Sequence, residues 1–150
     1  MDMIPSIKIL SHTKLATAAL AIRMCHDTVC KSDTKISDGV IGNCGASDRA
    51  LIHRVGRKMK HASTLEHLRV VFTIDPKGIT NTLAVNTFLM NNYSTVTNDA
   101  DLTYTISTNM RAIIELNDEN VLDDDMYKLI CEHIVPDEFK YLLDEEYVDA

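Results

Sequence analysis

The chain has 150 residues, 45% of them apolar and 25% charged, with only 5% aromatics and no Trp. This size suits one domain able to bury a core built on Leu, Ile, Val, Ala and Met. No stretch approaches the roughly 20 apolar residues of a membrane span, and neither a basic start nor an apolar run opens Met1-Asp2-Met3-Ile4-Pro5 as a secretory segment would. The net charge of -7 is uneven: residues 1–114 carry 13 Lys and Arg against 9 Asp and Glu, whereas residues 115–150 carry 2 against 13. The first part therefore suits an anionic ligand and the acidic segment 115–150 repels one. That segment serves either solubility or a protein partner.

Ser6 to Leu10 predicts a short strand, with Ile7 and Ile9 on one face and Lys8 on the other. Lys14 to Cys25 predicts a buried helix, because Leu15 to Ile22 is apolar on most sides. Residues 31–47 carry the turn chemistry of Asp38-Gly39, Gly42-Asn43 and Gly45 without periodicity, and read as a loop. Asp48 is placed to cap a helix from Arg49 to about Lys60, whose apolar face is Leu51, Ile52, Val55 and Met59. Its basic residues, Arg49, Arg54, Arg57, Lys58 and Lys60, read as a solvated face. A nucleic-acid surface is disfavoured by the acidic total and the lack of interleaved aromatics.

Leu68 to Ile74 is rich in β-branched residues and predicts a strand, followed by the turn Asp75-Pro76-Lys77-Gly78. Ile79, Leu83, Thr87 and Met90 have helical spacing up to about Asn92. Ser94 to Asp101 reads as polar and irregular, and Leu102, Tyr104 and Ile106 alternate as in a strand. Asn109 to Leu116 predicts a helix with Met110, Ile113 and Ile114 inward. Asp123-Asp124-Asp125 opens another helix, with Met126, Leu129, Ile130 and His133 as its buried stripe and Pro136 as its end. Asp137 to Glu145 forms a last short helix with Phe139, Leu142 and Leu143 inward. The expectation is a single α/β (α+β) domain over 1–150, with a small mixed sheet packed with helices.

Four cysteines, Cys25, Cys30, Cys44 and Cys131, read as free thiols of a reducing compartment, the cytoplasm. Cys25, His26, Cys30 and Cys44 lack the paired C-x-x-C spacing of structural zinc sites, so no metal is expected. His61, Ser63, Glu66 and His67 lie between the basic helix and a strand, where a hydroxyl, a carboxylate and imidazoles can meet one ligand. Ser63 and Glu66 also have the spacing of a capping box, and that structural reading stands beside the ligand one.

The longer string His61-Ala62-Ser63-Thr64-Leu65-Glu66-His67, then Leu68 to Ile74, then Gly78-Ile79-Thr80, resembles the H-x-S-x-x-E-H, strand, G-I-S run of the flavin-dependent thymidylate synthase (ThyX) family. The Ile7 to Ser11 strand, the Ala18 to His26 helix with Arg23 and Cys25, the run Leu102 to Arg111 leading into an N-A-R-like motif, and Ile130 to Leu143 resemble other parts of that family. Members are usually longer, and the shortening falls between Ser94 and Leu102; a pared-down core suits a phage-encoded version. The resemblance implies conversion of dUMP to dTMP with methylenetetrahydrofolate as carbon donor, FAD as hydride carrier and NADPH as reductant. It also implies a homotetramer with sites at subunit interfaces.

Carried over by position, the resemblance places His61, Ser63, Glu66, Asn109 and Arg111 at the flavin. It places Ser94 and Asn86 near the nucleotide, with Ser94 the candidate catalytic residue. It also exposes departures. Leu89, Met90 and Asn91 stand where the family has R-H-R, Asn81 stands for the arginine of the G-I-S-R run, and Asn120 stands for the arginine that polarises the dUMP ring. A further arginine falls on Asp101 or is lost in the shortening. Each arginine-to-phosphate bond is worth about 1.5–3 kcal/mol, so losing several predicts degenerate activity. Spacing assigns none of Arg54, Arg57 or Lys77 to the vacant roles. The alternative is a non-catalytic protein of the same fold that binds flavin or a nucleotide, or serves protein interaction.

Overall fold

The structure, a computed structural model, describes residues 6–25, 28–99 and 102–147. Its centre is a four-stranded sheet of β1 (Ile7–His12), β4 (Arg69–Ile74), β6 (Tyr104–Asn109) and β5 (Thr95–Asn98), in that spatial order. The α+β class holds, and all three pairings are antiparallel rather than mixed in direction. β4 alternates as its sequence requires: Val70, Phe72 and Ile74 are fully buried, and Phe72 meets Phe88 edge-on at 5.7 Å. A bulge between Ile9 and Ser11 turns Leu10 outward, which lets β1 run on to His12. Between β1 and β4 lies a two-residue hairpin, β2 (Ile36–Ser37) and β3 (Val40–Ile41), closed by Asp38 and Gly39 at φ 50° and 76°. Both angles match the turn that Asp-Gly favours in two-residue hairpins.

β5 corrects the reading of Ser94 to Asp101 as irregular. Thr95, Val96, Thr97 and Asn98 pair with Ser107, Ile106, Thr105 and Tyr104. The strand is polar because it is a sheet edge, and its order comes from β6 rather than from its own alternation. A short connection joins β5 to β6, with Asp99 N donating to Thr103 O at 2.8 Å and Leu102 left-handed at φ 64°.

Helices cover the sheet. In α1 (Leu15–Cys25), Leu15, Ala16, Ala18, Ala19 and Ile22 are buried as expected. α2 (Ala46–His53) starts before Asp48, with Gly45 at its N-cap, so Asp48 is not the cap. Instead Asp48 is fully buried and accepts bonds from Arg23 Nε (2.5 Å), Ser32 Oγ (2.6 Å) and Thr34 Oγ1 (2.5 Å). The chain leaves α2 through a π-helical turn, Arg54–Lys58, and a 3-10 turn, Ala62–His67. There the N-cap is His61 and makes no side-chain cap bond, so Ser63 and Glu66 do not form the capping box.

α3 (Ile79–Leu89) packs on α5 (Asp124–Leu129), and α4 (Met110–Asp118) packs on the Ala62–His67 turn. Asn109 closes β6 and caps α4, its Oδ1 accepting from Ala112 N at 2.9 Å. Asp123 caps α5 as its sequence predicts, accepting from Met126 N at 2.8 Å. A second π-helical turn, Ile130–Ile134, carries the chain to Pro136. This turn rotates His133 out to solvent, so the expected stripe keeps Met126 and Ile130 buried and Leu129 half-buried but loses His133, and Ile134 is buried in its place. The final 3-10 turn, Asp137–Leu143, buries Phe139 and Leu142.

Candidate functional site

The direct junction of β6 with α4 at Asn109 and Met110 brings the residues of interest together. Arg111, in the first turn of α4, donates from Nε to Glu115 Oε1 (3.1 Å) and from Nη1 to Glu66 Oε1 (3.3 Å). Its guanidinium lies 4.6 Å from the centre of the Tyr93 ring. The Glu115 bond, followed by the charges of Tyr93, Glu115 and Glu66, raises the Arg111 pKa above its ordinary value against the effect of burial, so it stays a cation. Glu66 and Arg111 therefore meet, 45 residues apart in sequence.

Ser94 lies behind Tyr93, sharing a hydroxyl bond with Thr108 Oγ1 (2.8 Å) and donating to Asn91 Oδ1 (2.9 Å). Asn109 is buried and its carbonyl oxygen is used by the α4 cap, which leaves only its amide group for a ligand. His61 and Ser63 are exposed on the Ala62–His67 side and line neither of the two clefts described next. His26 and the Cys25 side chain, part of the set from which no metal is expected, lie outside the described residues.

Two clefts flank the Arg111–Tyr93 stack and share Glu115. The first, of about 220 Å³, has walls of Ala62, Leu65 and Ile114, with Arg57, Lys60 and Arg111 as its cations. The second, of about 540 Å³, is lined by Asn86, Asn91, Asn92 and Tyr93 between α3 and the end of α4. Its only charged residues are Glu115 and Glu119. A phosphate there meets no cation from the lining.

Three of the positions that lack the expected arginines are asparagines with another task. Asn81 is buried and donates from Nδ2 to Asp75 O at 2.8 Å, pinning the turn before α3. Asn91 Oδ1 accepts from Tyr93 N at 2.9 Å, an Asx-turn. Asn120 is left-handed at φ 58°, and Asn120 N and Val121 N donate to Asn117 O and Leu116 O, the Schellman closure of α4.

Sequence reasoning missed Arg57 and Tyr93. Arg57 read as part of a solvated basic face, yet it is buried, with Nη1 donating to Asp118 Oδ2 at 3.3 Å. Arg49 departs from that face too: its guanidinium stacks 4.9 Å from the Tyr141 ring centre. No local pattern hinted at the burial of Arg57, because the π-helical turn that buries it has no sequence signature.

No protein-family profile matches the chain. A flavin-dependent thymidylate synthase of Wolinella succinogenes is 45% identical over 74 residues, which are 49% of this chain and 31% of that protein. Those of Campylobacter jejuni strain RM1221 and Helicobacter pylori strain J99 are 44% and 46% identical over 69 and 68 residues, 45% of this chain in each case and 28% and 27% of those proteins. The match thus spans about a third of the length of these relatives. In fold, the chain is similar to the crystal structure of Helicobacter pylori thymidylate synthase X with FAD and dUMP: TM-score 0.69, 18% identity, 94% of this chain and 98% of that one. No described helix is long and apolar enough to cross a membrane. The fold is thus shared with that thymidylate synthase over 94% of the chain, and the sequence is similar to flavin-dependent thymidylate synthases over about half of it.

Proposed function

We propose that the chain binds FAD at the Arg111–Glu66 site and carries a degenerate form of the thymidylate synthase activity, with dUMP bound weakly or not at all. The observation that carries this reading is the Arg111 guanidinium, fixed between Glu66, Glu115 and the Tyr93 ring beside the buried Asn109. These groups fit a flavin: a fixed cation, an amide donor and an aromatic face suit a planar, hydrogen-bonding ring system. FAD, where bound, supplies hydride chemistry. Arg111 and Asn109 orient it, and Ser63 and His61 meet it only from the outer side of the Ala62–His67 turn.

The nucleotide side is different. Asn86 faces the second cleft and Ser94 lies behind it, but the lining holds two glutamates and no cation, which supports weakened dUMP binding. Ser94 is the residue for any remaining chemistry, and methylenetetrahydrofolate and NADPH are partners only of an active form. A homo-oligomer completes the reading, since Ile79, Leu83, Leu89 and Met90 of the α3 region are 79, 43, 61 and 84% exposed, an apolar face that suits a second copy. A non-catalytic role in protein interaction is the second reading, favoured by the acidic 115–150 segment.

Absorbance of the purified protein after addition of FAD and desalting tests the first claim. About one flavin per chain or fewer, retained and lost in Arg111→Ala, supports the site; unchanged retention in Arg111→Ala sinks it. Growth of a thymidine-requiring host on the gene tests the second, since robust complementation contradicts degenerate activity.

A further inference from the structure

Arg57 is not explained by the flavin reading. Its guanidinium is 8% exposed and lines the smaller cleft. Nη1 is engaged by Asp118, itself 55% exposed, while Nε is buried and, alone among buried side-chain polar atoms of the described residues, has no hydrogen-bond partner. A guanidinium cannot shed its proton to escape this cost. The edge containing Nε is the side-on edge that binds carboxylates and phosphates with two parallel bonds. The cost of holding it unpaired is recovered when an oxygen acceptor reaches it.

The surroundings select for such an acceptor. Gly56 allows the close approach that seats the π-helical turn, because a Cβ there would come within 2.6 Å of Leu65 Cδ2. Just beyond, Lys60 is exposed and left-handed at φ 55°, a conformation that costs a side-chain-bearing residue energy and sets its ammonium at the cleft. Arg111 is engaged by two glutamates, and Arg57 Nη1 by Asp118, which leaves Lys60 and the Nε edge unspent. The opposing charges in the lining are Glu115 and Asp118, already bonded to Arg111 and Arg57, and Glu145, brought to the rim by the C-terminal strap, residues 144–147. The strap is tied down by His53 Nε2 donating to Asp144 O (2.6 Å) and Arg49 Nη2 donating to Tyr147 Oη (3.2 Å).

We propose that this cleft binds a small organic oxyanion, a phosphate or carboxylate, on Arg57 and Lys60, with Ala62, Leu65 and Ile114 covering its apolar body and Glu145 competing for the same cations. At about 220 Å³ the cleft is too small for a dinucleotide. The cleft shares Arg111 and Glu115 with the flavin site, and the present claim rests on Arg57 and Lys60.

The test follows the side-chain Nε–H resonances of the full-length, 15N-arginine-labelled protein while inorganic phosphate or acetate is added up to about 10 mM, against chloride at matched ionic strength. A saturating shift of the Arg57 resonance with either probe supports the site, and the probe that binds tells phosphate from carboxylate. Lys60→Asn, which removes the charge and tolerates the left-handed backbone, is expected to weaken binding about two- to fivefold, and Glu145→Gln to tighten it similarly. Arg57→Lys is expected to weaken it about tenfold or more, followed by the Arg111 resonance. If that variant does not fold, the two exposed substitutions still decide. An Arg57 resonance that does not move, or a shift indifferent to both Lys60→Asn and Glu145→Gln, overturns the proposal. FAD retention without an Arg57 response overturns it while sparing the flavin reading; an Arg57 response without FAD retention does the reverse.

Discussion

Asp48 offers the sharpest test of how this fold is held. Its carboxylate is fully buried beside an Arg23 that is 5% exposed, and it takes the Arg23 Nε proton at 2.5 Å as well as the hydroxyls of Ser32 and Thr34. One side chain thus joins α1, the loop after it and the first turn of α2, the helix that leads to Arg57. Replacing Asp48 by Asn keeps the shape but leaves the guanidinium buried without its counter-charge. Breaking a buried pair this way costs about 3–5 kcal/mol, a fall in Tm of about 6–20 °C for a chain of this size. Burial pushes the Asp48 carboxyl up, but bonds from Ser32, Thr34 and Arg23 and the Arg23 charge outweigh it and hold its pKa below the ordinary 3.8. A depressed carboxylate stabilises the fold above its unfolded pKa, and that contribution is lost as pH falls through the folded value. The gap between wild type and Asp48→Asn, measured by urea unfolding, should therefore be full at neutral pH and close in acid. Joint replacement, Arg23→Met with Asp48→Leu, should recover only part of the loss, because the Ser32 and Thr34 hydroxyls lose their acceptor. A neutral-pH loss under about 1 kcal/mol, the value of an exposed pair, would refute the reasoning.

Two further outcomes follow from single residues. Leu102 is 77% exposed and left-handed; Leu102→Gly should raise stability by about 0.5–1 kcal/mol, the strain relieved less the extra freedom of glycine in the unfolded chain, and a lower urea midpoint would contradict it. Burial, then the Asp48 charge, pushes the Cys44 thiol from 9.0 up to about 11. Cys44 should therefore be alkylated by iodoacetamide at pH 8 more slowly than the exposed Cys30, as read by mass spectrometry. Its raised pKa also means that stability is unaffected below about pH 9 and falls as pH rises towards 11. Equal labelling of the two thiols would count against the burial of Cys44.

What could be read from sequence was what local pattern determines. β4 announced itself by its β-branched residues, α3 by spacing and α5 by Asp123. β5 did not, because Thr95 to Asn98 owes its order to Ser107 through Tyr104 across the sheet. The π-helical turns at Arg54–Lys58 and Ile130–Ile134 were equally hidden, since a shift of one residue in helical register is chosen by packing. It is that shift which buries Arg57 and exposes His133. Asp48 read as a cap because an acidic residue before an apolar run usually is one; its partners lie 14 to 25 residues away in sequence. At the candidate site, the resemblance assigned Glu66 and Arg111 to one ligand but not their ion pair, and the Tyr93 ring under Arg111 depended on the tight Asx-turn at Asn91.

The replaced arginines bear on whether the nucleotide side can be regained. Three of them are now asparagines with structural work: Asn81 holds the Asp75 carbonyl, Asn91 the Tyr93 amide and the Ser94 hydroxyl, and Asn120 the left-handed end of α4. Leu89, by contrast, is 61% exposed and holds nothing comparable. Restoring charge should therefore succeed at one position and fail at another. Leu89→Arg is expected to leave stability within about 0.5 kcal/mol of wild type, as surface changes usually do. Asn91→Arg removes two side-chain bonds of 2.9 Å and should cost about 1–3 kcal/mol, loosening the turn that presents Tyr93 to Arg111. Urea unfolding of the two variants decides the matter. If Asn91→Arg is as stable as wild type, the asparagine is a bystander, and the lost cation can be restored without disturbing the flavin side of the site.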